Sequence, residues 1–168
     1  MLFTNIKLKN WKNFGDVNAD CGKRVFLIGP NASGKSNFLD ALRFLREVAQ
    51  DGLQRAVAVR GGMRAVRYLC ARNPSVVKIA VVLDNKWEYS LSFTSNRKRE
   101  AYITEECVYL TEDGKRIKIL KRPNDDDEKD EMRLSQTALQ QVNLNKEFRD
   151  SCFISFNRKI TKLWNCYS

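Results

Sequence analysis

The sequence predicts an α/β fold: a glycine loop joins a strand to a helix, and an antiparallel β-subdomain follows. Three observations carry this reading. Gly29-Pro30-Asn31-Ala32-Ser33-Gly34-Lys35-Ser36 matches the pattern G-x-x-x-x-G-K-[ST] at every fixed position. The flanks agree with it. Arg24-Val25-Phe26-Leu27-Ile28 is a short apolar run of strand formers, as a buried parallel strand requires. Ser36 to Gln50 sets Phe38, Ala41, Leu42, Leu45 and Ala49 at helical spacing, with Arg43, Arg46 and Glu47 between them. From Val77 onward the apolar period shortens to two.

Taken in order, Met1 to Asn10 alternates, with Ile6 and Leu8 on one face and Lys7 and Lys9 on the other. This predicts an edge or half-exposed strand, ended by a turn over Trp11, Lys12, Asn13, Phe14 and Gly15. Asp51-Gly52 stops the long helix. Leu53 to Arg72 reads as two short helical pieces broken at Gly61-Gly62, and Asn73-Pro74 closes the region. Val77, Ile79, Val81 and Leu83 share one strand face. After the turn Asp84-Asn85-Lys86, the row Trp87, Tyr89, Leu91 and Phe93 forms a second, and its strict alternation makes it a buried face, not a stacking platform. Tyr102 to Leu110 and Arg116 to Lys121 follow, joined by the hairpin signal Glu112-Asp113-Gly114-Lys115. Four strands with short turns make a meander. Asn124 to Glu131 is expected to be an acidic, solvated linker, and Met132 to Asp150 a helix with Leu134, Ala138, Leu139 and Val142 as its apolar positions. Ser151 to Ser168 lacks acidic residues and a clear period, which fits an out-of-register or truncated end, or an ordinary C-terminal strand.

Bulk properties narrow the function. With 168 residues the chain is one domain by length, and its 43% apolar content suits a buried core. No apolar run approaches the roughly 20 residues that span a bilayer, and no signal peptide is visible. The five cysteines Cys21, Cys70, Cys107, Cys152 and Cys166 have no C-x-x-C spacing, so reduced thiols and a cytoplasmic location are expected. A net charge of +10 favours an acidic partner: nucleic acid, or an acidic complement in missing sequence or a partner chain. The absence of histidine excludes imidazole bases, histidine metal ligands and His-dependent triads.

The residue types of the loop explain its chemistry. Backbone N–H groups grip phosphate oxygens best where side chains are few, and Gly29 and Gly34 permit the dihedrals and close approach this needs. The loop feeds the positive end of a helix dipole. Lys35 is expected to reach the β and γ phosphates, and the Ser36 hydroxyl to ligate Mg²⁺, within a site formed by Gly29, Pro30, Asn31, Ala32, Ser33, Gly34, Lys35, Ser36 and Asn37. ATP with Mg²⁺ is the implied ligand.

The loop and the following Asn37-Phe38-Leu39-Asp40-Ala41-Leu42 resemble ATPase heads of the ABC superfamily, more narrowly the chromosome-maintenance (SMC), RecF-type and OLD-type branch, where Asn commonly follows Lys-Ser. Thr4-Asn5-Ile6-Lys7-Leu8-Lys9-Asn10-Trp11-Lys12-Asn13-Phe14 is similar to the opening strand of those heads. Arg60-Gly61-Gly62, Ala71-Arg72 and Gln140 to Arg149 resemble prokaryotic AAA-family ATPases of uncharacterised or phage-defence type. The resemblance implies an N-terminal ATPase lobe over 1–150: a P-loop βα unit with short helices over 1–75, an antiparallel β-subdomain over 76–122, and a linker and helix over 123–150. An atypical tail occupies 151–168. It also implies an incomplete head. Family members hydrolyse ATP with a Walker B strand ending Asp-Glu, a signature Ser-Gly motif and often a switch His, and none is found here. Ile79-Ala80-Val81-Val82-Leu83-Asp84 imitates the Walker B strand, but Asn85 replaces its Glu and a hairpin follows. Gln136, Gln140 or Gln141 could sense the γ-phosphate or simply line a solvated helix face.

The function implied is the Mg·ATP-binding lobe of a RecF/SMC/OLD-like ATPase in DNA repair, DNA maintenance or phage defence. Its implied partners are DNA and either a second copy or the missing C-terminal lobe, without a membrane. One alternative is a complete small ATPase borrowing its missing motifs from another polypeptide. Another is a non-enzymatic basic nucleic-acid-binding module with a vestigial P-loop. Arg60, Arg64 and Arg67, spaced for one helix face, Arg97-Lys98-Arg99 in a turn, and Lys115, Arg116, Lys118, Lys121 and Arg122 about one strand are the candidate phosphate-backbone contacts, or else a solvated surface.

Overall fold

The computed structural model describes residues 2–71, 76–124, 127 and 134–139. Six strands form one antiparallel sheet: β1 (Phe3–Trp11), β2 (Phe14–Asp20), β3 (Val77–Leu83), β4 (Trp87–Ser95), β5 (Ala101–Glu112) and β6 (Lys115–Arg122), in the order β2-β1-β3-β4-β5-β6. Helices α1 (Lys35–Asp51), α2 (Leu53–Ala58) and α3 (Met63–Val66) come between β2 and β3. The meander thus stands as the alternation predicts, and the Gly61-Gly62 break separates α2 from α3.

Three expectations need correction. β1 is the half-exposed strand of the two alternatives, Ile6 and Leu8 buried and Lys7 and Lys9 exposed, and not the edge one, because β2 pairs with it on one side, Ile6 opposite Ala19 and Leu8 opposite Val17, and β3 on the other. The turn at Trp11 is the tip of this hairpin, and Phe14 and Gly15 already belong to β2. Arg24 to Ile28 forms no strand. Leu27 lies against the core while Phe26 and Ile28 are 79% and 93% exposed, and among the described residues no strand pairs with the segment. The segment 124–131 is not wholly solvated, since Asp127 is buried. The helix expected over Met132–Asp150 and the tail 151–168 lie outside the described residues, apart from Leu134–Leu139, which make a short 3-10 turn and a loop.

The core lies between the sheet and the helices. Phe38, Ala41, Leu42, Phe44, Leu45 and Val48 of α1 meet Ile6, Leu8, Ile79, Val81, Tyr89, Leu91 and Phe93. Phe44 stacks on Phe93 at 5.2 Å between ring centroids and meets Trp11 at 5.0 Å. Gln54 of α2 clamps the start of β5, its amide donating to Ala101 O (2.5 Å) and accepting from Ala101 N (3.2 Å). Farther along β5, Glu106 stands opposite Leu91 on the core face, wholly buried. It accepts from Tyr89 Oη (2.9 Å) and Ala138 N (2.9 Å), and Arg122 of β6 ties it to Asp127. That network fastens residues 134–139 over the β5–β6 end of the core.

Because Phe44 touches both β1 and β4 partners, Phe44→Ala should lower stability by about 3–5 kcal/mol. In urea the midpoint should fall with the denaturant slope unchanged. A loss below about 1 kcal/mol would mean the helix is held elsewhere.

Candidate functional site

The loop Gly29–Ser36 runs from the Arg24–Ile28 segment into α1. Ala32 (φ 64°) and Gly34 (φ 104°) both take the left-handed conformation, the backbone alternation that gathers successive N–H groups about an anion. Ser33 N donates to Pro30 O at 3.3 Å and Phe38 N to Gly34 O at 2.9 Å, which closes the loop and opens the helix. Gly34, the N-cap, offers no side-chain cap, and the first turn of α1 carries no acidic residue. The first N–H groups of α1 therefore have no partner within the helix, and the dipole there is unneutralised.

Lys35 curls back into the loop. Its Nζ donates to Gly29 O (2.8 Å) and Pro30 O (2.7 Å), holding a positive charge against carbonyls of the loop itself. Ser36 is exposed beside it. Asn37 donates through its amide to Asn13 Oδ1 (2.9 Å), and its carbonyl accepts from Trp11 Nε1 (2.8 Å). A Cβ on Gly34 would fall on the Asn13 amide and within 2.9 Å of the Phe14 ring, so the position needs glycine for space as well as for its φ.

The hairpin tip beneath the loop is the part that sequence reasoning left without a role. Trp11, Asn13 and Phe14 seat Gly34 and Asn37, and Lys12 reaches Asp40 on the next turn of α1 (2.7 Å). The legible signal was the short spacing between an alternating strand and Asn13-Phe14. Asp40 also takes a bidentate fork from Arg60, both bonds 2.9 Å, and Arg60 pairs with Glu47 as well. Arg60 thus lies buried in ion pairs beyond α2, while Arg64 lies within α3 and Arg67 is its C-cap; the three do not share a helix face. Asp84 lies at the far end of β1, accepting from Leu2 N at 2.6 Å. Nine residues of strand, about 30 Å, separate that end from Trp11, so Asp84 is remote from the loop. Gln136 offers its carbonyl to Arg122 (2.8 Å), whereas Gln140 and Gln141 lie outside the described residues. Among the described residues no acid–Cys cluster suited to a metal ion occurs, and no helix is long and apolar enough to cross a membrane.

Residues 24–151 match the family described as "AAA domain, putative AbiEii toxin, Type IV TA system". The chain belongs to this family. Membership makes it a P-loop ATPase domain and implies nucleotide binding. Among curated proteins, this AAA-family chain is similar to the endonuclease GajA of Bacillus cereus (strain VD045), 41% identical over 58 residues, 33% of this chain and 10% of that protein. It is also similar to the DNA replication and repair protein RecF of Lactobacillus gasseri, 44% identical over 46 residues, 27% of this chain and 12% of that protein. The matches thus span about a tenth of those relatives' lengths. A solved structure from work on ATP-driven dimerization and DNA stimulated activation of SMC ATPases is similar at 17% identity and a TM-score of 0.45, over 69% of this chain and 72% of that one.

The Asp40 network makes the site's support sensitive to acid. Burial pushes the Asp40 carboxyl up, but hydrogen bonds from Arg60 and Lys12 outweigh it and hold the group below its ordinary value of 3.8. The unfolded chain therefore takes up this proton where the folded chain does not. The stabilisation is fully present above 3.8 and is lost as pH falls through the lower folded value. Asp40→Asn should cost about 2 kcal/mol near neutral pH. In urea titrations the gap between wild type and variant should narrow as the buffer is taken below 3.8; a gap constant with pH would place the ion pairs elsewhere in the energetics.

Proposed function

We propose that this chain is the Mg·ATP-binding lobe of a RecF/SMC/OLD-like ATPase acting in DNA repair, DNA maintenance or phage defence. One observation carries the reading: an uncapped helix start, preceded by two left-handed residues and by a lysine already turned into the loop. That arrangement suits a chain of phosphates. Lys35 would exchange the Gly29 and Pro30 carbonyls for β and γ oxygens, a stronger partner for an ammonium group. The N–H groups of the loop and of the first turn of α1 would take the remaining oxygens. Ser36 offers a neutral hard oxygen at the loop's edge, which fits Mg²⁺, an ion that keeps several waters and takes its other ligands from phosphate. When bound, the metal would neutralise charge between the β and γ oxygens.

The sequence carries no recognisable Walker B Asp-Glu or signature Ser-Gly motif, so hydrolysis would need a carboxylate to position water and a clamp on the γ-phosphate from another surface. The exposed Phe26 and Ile28 support a partner covering the strand-like segment before the loop, either the C-terminal half of an ATPase head or a second copy. The segments 1–75 and 76–122, which share the sheet, would then be parts of one lobe with 123–150. The +10 charge and the names of the relatives support DNA as a further partner.

Calorimetric titration with Mg·ATP should give binding that weakens at least tenfold in Lys35→Ala, the loss expected on removing a charged hydrogen-bond donor. Phosphate release in the same samples should be negligible. Equal heats in the two proteins would favour a vestigial loop. Turnover abolished by the substitution would show that the chain carries its own catalytic groups.

A further inference from the structure

A second positively charged site stands at the same end of the sheet as the loop. β1 and β4 run in one direction, each antiparallel to β3 between them, so Trp11 and Ser95 share an end. Two strand spacings, about 10 Å, separate β1 from β4. Between the α2–α3 connection and the β4–β5 turn lies a cavity of about 340 Å³ lined in part by Gly62, Arg64, Arg67, Thr94, Ser95 and Arg99. Three arginines from two elements distant in sequence thus converge on one space.

Arg64 and Arg99 are exposed at the cavity's mouth, unlike the buried arginines of the fold. Arg60 is paired with Asp40 and Glu47, and Arg122 with Asp127 and Glu106. No carboxylate is among the described residues lining the cavity, and neither Arg64 nor Arg99 makes an ion pair with a described residue. Gathering like charges is unfavourable by roughly 1 kcal/mol per close pair even in water-like surroundings, and by more where the protein excludes water. An anion reverses that sign.

The frame around the arginines is fixed. Asn96 N donates to Glu100 O and Arg99 N to Asn96 O, each at 3.0 Å. The Asn96 side chain also holds Glu100, accepting from its N–H and donating to its carboxylate, both at 3.0 Å. That keeps Arg99 in the left-handed conformation (φ 67°) at the turn. Gln54 clamps Ala101 just beyond it. On the opposite wall Gly61 and Gly62 (φ 88° and 87°) bring bare backbone to the rim, and a Cβ on Gly62 would meet no atom within 4 Å.

We propose that this cavity seats a backbone phosphate of DNA, gripped by the guanidinium forks of Arg64 and Arg99 with the Thr94 and Ser95 hydroxyls as further donors. The inference rests on the nucleic-acid part of the function proposed above and gives it a location. A linear polyanion fits better than a lone small anion because Arg97 and Lys98, exposed on the same turn, extend the positive surface past the cavity.

The test is fluorescence anisotropy of a labelled duplex of about 30 base pairs with the full chain, in a salt series. Wild type is compared with Arg64→Ala/Arg99→Ala and with Lys115→Ala/Lys118→Ala, which removes equal charge from exposed positions of β6. Inorganic pyrophosphate is titrated calorimetrically in parallel. The arginine pair should weaken duplex binding about tenfold or more at low salt and make the log–log salt dependence shallower by about 2, while the lysine pair changes it less. Mg·ATP binding and the thermal midpoint of the arginine variant should match wild type. Unchanged affinity and slope in the arginine variant overturn the site, as does an equal loss in the lysine variant, which would mean diffuse charge. Failure of the wild-type chain to bind duplex would instead overturn the DNA reading itself. If pyrophosphate heat were then lost in the arginine variant, the cavity would be a small-anion site and the proposal wrong.

Discussion

The column of Trp11, Phe44 and Phe93 sets where α1 lies on the sheet, and through α1 where the loop points. All three side chains are fully buried, one from the end of β1, one from mid-helix and one from β4. Burial of each ring contributes about 2–3 kcal/mol, and each ring pair about 0.5–1.5 beyond that. A neutral hydrogen bond contributes about 1 kcal/mol. The apolar column therefore decides the position of the helix, and the bonds that Asn37 accepts from Trp11 and donates to Asn13 select its rotation. With α1 so placed, its uncapped first turn has to open above the hairpin tip, where Gly34 has no room for a side chain.

Two polar networks frame that column, and they differ in how well their charges are matched. Asp40 has two cations, Lys12 and Arg60, whose hydrogen bonds outweigh the penalty of burial. Glu106 has less help. Burial pushes its carboxyl up, and the Ala138 N–H, the Tyr89 hydroxyl and Arg122 only partly oppose this. Arg122 gives its short bonds, 2.7 and 2.9 Å, to Asp127 and stands 3.5 Å from Glu106. A buried carboxylate served this way adds little net stability, but every alternative packing of residues 134–139 would leave it worse off. Its effect is to specify where that segment returns to the sheet. Arg64 and Arg99 beside the cavity at Gly62 follow neither pattern, since neither is ion-paired with a described residue.

Much of this was legible because it depends on local period. The meander shows in the alternation of Val77 to Leu83 and Trp87 to Phe93, and α1 in the spacing of Phe38, Ala41, Leu42 and Leu45, since in each case one face is buried. β2 was not legible. Phe-Gly-Asp-Val-Asn-Ala-Asp has weak strand propensity, with Phe14, Val17 and Ala19 only partly buried against the core, and it is a strand because β1 offers it a hydrogen-bonding edge. Pairing across the chain overrode propensity, and the same pairing turned β1 from edge to interior. Asp127 was misread because its neighbours are acidic; nothing in a run of aspartates marks the one that Arg122 draws inward. The loop motif was plain, but the support beneath it from Asn13 and Lys12 required knowing that the hairpin tip folds under α1.

The strand-like residues before the loop were misread for a different reason. Arg24 to Ile28 has the composition of an interior strand, and its alternation persists: Leu27 packs inward while Phe26 and Ile28 face out. What is missing is a neighbour. The loop consequently has an exit clamped by Trp11, Asn13 and the α1 core, and an entry attached on one face alone. Covering Phe26 and Ile28 would contribute about 3–6 kcal/mol of apolar burial as an upper bound, comparable with the whole stability of a small domain. Gly29 and Pro30 follow directly, and their carbonyls now hold Lys35. A surface that fixed Ile28 would set those carbonyls, and so set how readily Lys35 leaves them for phosphate. By linkage, phosphate bound in the loop would strengthen that same surface's grip by an equal factor. On the function proposed above, association and nucleotide binding would be joined through Lys35 and the Gly29 and Pro30 carbonyls.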